Sequence, residues 1–125
     1  MASVTERTLT FKDMCERFGV TPRTLRYYEY IELLSPLKEG RRRIYTPREV
    51  ARMTLVMRGR RFGFGLEEIR QWLEIYHDRG TEAQMQAWVE RADRQLVVLR
   101  AQYDELAEAI GDLQKLRDDV AARND

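Results

Sequence analysis

The chain has 125 residues, with 22 Lys plus Arg, 21 Asp plus Glu and a formal net charge of +1. This length predicts one domain of roughly 100–150 residues and excludes large two-domain enzymes. No apolar run approaches the roughly 18–20 residues that span a bilayer, one cysteine makes no internal disulfide, and one histidine leaves little for His-based catalysis.

The net charge hides an asymmetry. Residues 1–70 carry 15 basic and 9 acidic side chains, a net of +6, whereas residues 71–125 carry 7 and 12, a net of −5. A basic front half suggests a polyanion partner, and an acidic back half a different task. The start lacks an apolar signal region, so a cytoplasmic protein with no membrane partner is expected.

Helix-period patterns dominate, so the class is mostly all-α. Residues 1–8 read as a flexible N-terminus. Phe11, Met14, Cys15 and Phe18 make one apolar stripe on a short helix, with Thr10 as N-cap and Gly19 closing it. Thr21-Pro22 then opens a second helix that runs to about Tyr30. Two helices joined by a short Gly-containing turn match a helix-turn-helix. Leu25 and Tyr28 should face inward, while Arg23, Arg26, Tyr27 and Tyr30 share the other face.

Gly40 marks the turn of a small β-hairpin, or wing, over about 37–45, with Arg41, Arg42 and Arg43 at its tip. Three adjacent cations are costly unless a polyanion offsets them. Thr46-Pro47-Arg48-Glu49 reads as a capping box that opens a third helix. Arg58, Arg60 and Arg61 end that helix, where cations also suit the dipole. Gly63-Phe64-Gly65 stops it, and Leu66, Ile69, Trp72, Leu73 and Tyr76 line a fourth. Trp72, Tyr76, His77 and Trp88 form an aromatic cluster that reads as core rather than as an effector pocket.

From Thr81 to about Ala121 apolar residues recur in steps of 4 and 3. The seam includes Val89, Ala92, Leu96, Leu99, Tyr103, Leu106, Ile110 and Leu113, with Met85 and Val120 at its ends. Such a heptad pattern argues for a dimerising coiled coil. About 40 residues span roughly 60 Å, too long to bury the seam within one small domain. The organisation expected is a winged helix-turn-helix domain with a second helix pair over 9–76, a coiled-coil helix over 81–121 and a tail over 122–125.

With these elements in order, the sequence resembles the MerR family of bacterial transcription regulators from about Leu9 to Tyr76. The resemblance rests on Gly19-Val20-Thr21-Pro22-Arg23-Thr24-Leu25-Arg26-Tyr27-Tyr28-Glu29, on Arg43-Ile44-Tyr45, and on Arg61-Phe62-Gly63-Phe64 with Leu66-Glu67-Glu68-Ile69. It implies a homodimer with an antiparallel coiled coil on an inverted-repeat promoter site. It also implies DNA bending and untwisting that lets RNA polymerase engage both promoter elements. Arg23, Arg26, Tyr27 and Tyr28 match recognition-helix positions, and Arg43 and Tyr45 match the wing. With the residues read above, the expected DNA-facing set is Thr21, Arg23, Arg26, Tyr27, Tyr28, Tyr30, Arg41, Arg42, Arg43 and Tyr45.

Three positions depart from the family pattern. Glu32 stands where Gly is frequent, Tyr30 where Lys is common and Arg42 where an aromatic is common. Metal-sensing members carry Cys ligands around the long helix, and residues 77–125 contain none. Drug-sensing members carry a further effector domain that is not expected here. No cofactor, metal or catalytic residue is therefore expected, and the effector, if one acts, is unidentified. Two alternatives stand beside the regulator: a coiled-coil protein-interaction adaptor, and a thiol-responsive regulator acting through Cys15.

Overall fold

Helix α1 (Phe11–Phe18) begins at a reciprocal cap. The Asp13 amide donates to Thr10 Oγ1 at 3.0 Å and the Thr10 amide donates to Asp13 Oδ2 at 3.1 Å. Those bonds hold the Asp13 carboxyl below its ordinary range. Helix α2 (Pro22–Tyr30) starts with Pro22, and Thr21 Oγ1 accepts from the Thr24 amide at 3.1 Å. The computed structural model describes the backbone of residues 7–78 and 80–124, and the side chains of these except 76–78. The N-terminus expected over 1–8 falls almost wholly outside the described residues, as do the side chains of Tyr76 and His77.

Three helices end in the same motif. In each, a residue with left-handed backbone follows the helix and an amide reaches back five residues to a carbonyl. Gly19 (φ 64) does this after α1, with Val20 N–H donating to the Cys15 carbonyl at 3.1 Å. Gly63 (φ 89) does it after α3 (Pro47–Arg61), with Phe64 N–H donating to the Gly59 carbonyl at 3.0 Å. After α2 the position falls to Glu32 (φ 64), with Leu33 N–H donating to the Tyr28 carbonyl at 2.9 Å. The backbone there favours the glycine that the resemblance leads one to expect, and Glu32 holds the same conformation in its place.

The wing is a three-stranded antiparallel sheet ordered β1-β3-β2. Strand β1 spans Leu9–Thr10, β2 spans Leu37–Glu39 and β3 spans Arg42–Tyr45. Glu39 faces Arg42 across a two-residue turn, Gly40-Arg41, in which Gly40 has φ +63. A positive φ at the first turn position alone is the II′ pattern that suits the twist of a hairpin. Strand β1 was not expected: two residues carry no readable alternation.

Helices α3 and α4 (Leu66–Asp78) cross closely at Gly59. A Cβ there would stand 2.6 Å from Ile69 Cγ1. Met14, Leu25, Leu33, Leu34, Met53, Val56, Ile69 and Leu73 fill the core of this unit, each contributing on the order of 1.5–3 kcal/mol by burial. One expectation is corrected. Thr46 makes no side-chain cap to α3; Glu49 is instead buried and accepts from the Ser35 amide at 2.6 Å. The longer-range amide has claimed the carboxylate that a capping box would use.

The chain divides into two compact units, Met1–Thr81 and Glu82–Asp125. The second is one helix, α5 (Glu82–Arg123), of 42 residues and no buried side chain. It extends two residues past the expected end.

Candidate nucleic-acid interface

The α2 helix splits its residues by face as its period requires. Leu25 and Tyr28 are buried, whereas Arg23, Arg26, Tyr27 and Tyr30 are exposed, Tyr30 at 83%. Thr21 is exposed at the N-terminus of the same helix, where it caps rather than projects. Among the described residues no carboxylate pairs with Arg23, Arg26, Arg41 or Arg42. These four cations therefore remain available to an anion.

A hollow flanks α2 on either side. One, of about 410 Å³, is lined by Arg23, Thr24, Tyr27, Tyr28, Arg60 and Leu66. The other, of about 270 Å³, lies toward the wing and is lined by Phe11, Lys12, Arg26, Arg41, Arg42 and Arg43, with Thr10. Both combine guanidinium donors with ring or hydroxyl groups, the chemistry that grips a phosphate backbone beside a groove.

Glu29 joins the helix to the wing. Its Oε1 accepts from Arg43 Nε at 2.8 Å and its Oε2 accepts from the Tyr45 hydroxyl. Across the hairpin Arg43 faces Lys38, a like-charge pair that Glu29 relieves. Burial first, then the bond to Glu29, pushes the Tyr45 hydroxyl well above its ordinary range.

Two members of the expected DNA-facing set are accordingly corrected. Tyr45 is 0% exposed and Tyr28 is 3% exposed. Neither presents its ring to a duplex. Tyr45 braces Glu29, and the Tyr28 hydroxyl accepts from Arg60 Nη1 at 2.9 Å. The motif carried both tyrosines as identities and said nothing of their direction, although the spacing Leu25 to Tyr28 does point inward.

Sequence reasoning gave Lys12 and Glu29 no role of their own, read Phe11 only as part of an apolar stripe and read Arg60 as a helix-end cation, whereas Phe11, Lys12 and Arg60 line the two hollows and Glu29 ties α2 to the wing. It also assigned too much of the positive charge to a partner. Arg52 Nε donates to the Leu33 carbonyl at 2.8 Å, and Arg70 donates to the Ile31 carbonyl. With Arg60 these hold the end of α2 from α3 and α4, where carbonyls at a helix C-terminus attract cations. Cys15 is half-buried, and burial pushes its thiol up despite Arg26 nearby. A raised thiol is a poor nucleophile. Among the described residues no three His, Cys, Asp or Glu gather to hold a metal, and no helix is long and apolar enough to cross a membrane.

Comparison with known proteins gives the family. The family description "MerR HTH family regulatory protein" matches residues 9–75, and "MerR, DNA binding" matches residues 50–122. The chain belongs to the MerR family. It is a DNA-binding transcriptional regulator of helix-turn-helix type. An HTH-type transcriptional regulator of Pseudomonas aeruginosa is 32% identical over 109 residues, covering 85% of this MerR chain and 75% of that one. The regulator HmrR of Rhizobium leguminosarum bv. viciae is 40% identical over 65 residues, and the chain spans about half its length. A MerR family regulator from Bacillus cereus has the same fold, with a TM-score of 0.65, 26% identity, and coverage of 86% of this chain and 78% of that one. HiNmlR, described as lacking the sensor domain and solved on promoter DNA, matches in fold with a TM-score of 0.65 at 20% identity, covering 82% and 78%.

Proposed function

We propose that this MerR regulator binds an inverted-repeat promoter site as a homodimer. Each α2 enters a major groove, with Arg23, Arg26 and Tyr27 turned to the DNA and Arg41, Arg42 and Arg43 on the flanking backbone. A guanidinium bridges two acceptors on guanine or grips a phosphate, and the wing cations read no base. The observation that carries this reading is the exposed cationic face of α2 between two basic hollows.

Dimerisation is proposed through the α5 seam as an antiparallel coiled coil. Tyr103, Leu106, Ile110 and Leu113 are each at least 60% exposed in the single chain. Val89, Ala92, Leu96 and Leu99 continue the same stripe. An apolar stripe of this length calls for a matching helix. The dimer distorts the DNA between its half-sites at a cost that backbone contacts offset. RNA polymerase then engages the reshaped promoter, which places this work at the bacterial nucleoid in the cytoplasm.

Selection of duplexes from a random pool by the full chain tests the proposal. The expected product is an inverted repeat bound by a species of twice the chain mass. Recovery of unrelated sequences would refute specific readout, and a monomer in sedimentation would refute the seam. The adaptor reading predicts retention of acidic proteins and no selected sequence. The raised Cys15 thiol weighs against the thiol-responsive one.

A further inference from the structure

Phe11 serves two cations at once. Arg26 Cζ stands 5.7 Å from its ring centroid and Arg43 Cζ stands 5.3 Å from it. One guanidinium comes from α2 and the other from the wing, so the ring links the two elements. Arg26 and Arg43 line the same hollow as Phe11, with Lys12, Arg41 and Arg42. Two acidic groups nearby are committed: Glu29 is bonded to Arg43 and Tyr45, and Asp13 to Thr10.

Like charges gathered on one hollow repel. The negative face of an aromatic ring offsets part of that repulsion and restricts where a guanidinium sits. Packing alone does not require an aromatic here. Phe11 is half-buried, while Met14 is the fully buried member of the α1 stripe. An aliphatic side chain would close the core equally well but would hold neither cation.

We propose that Phe11 is a positioning residue of the DNA interface: its ring holds the Arg26 and Arg43 guanidiniums on one hollow, so that recognition helix and wing grip the same backbone phosphate. This rests on the DNA-binding reading. Preset cations lose less side-chain freedom when the phosphate arrives, which strengthens binding without a new contact.

The test uses the full chain and fluorescence anisotropy on a duplex selected by the wild-type protein. Phe11→Leu is expected to weaken binding about 10-fold with an unchanged melting temperature. Phe11→Trp, which keeps the ring face, is expected to stay within about 2-fold of wild type. In a background of Arg26→Ala with Arg43→Ala, Phe11→Leu should cost nothing further, because it acts through those two residues. If Phe11→Leu destabilises the fold, this last comparison still decides, made at a temperature where all four proteins are folded. Wild-type affinity in Phe11→Leu, an equal loss in Phe11→Trp, or an undiminished loss in the doubly substituted background would overturn the proposal. A wild-type chain that binds no duplex would instead overturn the DNA-binding reading, before any variant is compared.

Discussion

Glu32 shows what a single side chain can cost. It holds φ 64 where the other two helix ends of this kind use glycine. A non-glycine residue in that region is strained by roughly 1–2 kcal/mol, and glycine's freedom in the unfolded chain returns part of it. Glu32→Gly should therefore stabilise the protein by about 1 kcal/mol, read as a rise in the denaturant midpoint at constant slope. Tyr45 makes a second case. Its hydroxyl is raised above the ordinary tyrosine value, so the folded state keeps that proton more tightly than the unfolded chain. The stability it lends is complete below about pH 10 and is lost as pH rises above that. Tyr45→Phe should cost about 1 kcal/mol at neutral pH by leaving Glu29 short of a donor. It should also flatten the alkaline fall in melting temperature between pH 9 and 11. Neither residue could be read this way from its place in a motif, since backbone strain and burial depend on what surrounds it.

At the scale of elements, much was legible. Helix starts followed from Thr10, Thr21-Pro22 and Pro47, and helix ends from Gly19 and Gly63, because caps are local chemistry that neighbouring residues determine. The α2 faces followed from period alone. What was not legible depended on distant partners. Glu49 lies three residues after Thr46 as a capping box asks, yet it bonds to Ser35. Gly59 lies in the last turn of α3 with no local reason, and its reason is Ile69 on α4. Gly59→Ala should destabilise by about 1–3 kcal/mol through forced separation of α3 and α4, measured by chemical denaturation. Arg52 and Arg70 entered the sequence reading only as part of a basic front half, and Arg60 as a cation ending its own helix, whereas the fold spends all three on the end of α2. Arg52→Ala should therefore lower stability more than Arg41→Ala does, while Arg41→Ala should lower DNA affinity more. Paired melts and binding curves separate the two roles.

Across the whole molecule, the net charge of +1 is the residue of two opposed charges. The basic front half splits again. One set of cations clasps the recognition helix from within, and another set, Arg23, Arg26, Arg41 and Arg42, stays unpaired among the described residues. The acidic back half belongs mainly to α5, whose apolar stripe has no cover in one chain. On this account the second set neutralises phosphates. The most direct measurement is the affinity of the full chain for its selected duplex across a series of salt concentrations. A logarithmic plot should fall steeply, with a slope of about −0.9 for each phosphate neutralised, and Arg26→Ala and Arg41→Ala should each make it shallower. A flat response, or variants with the wild-type slope, would contradict the assignment of this face to DNA.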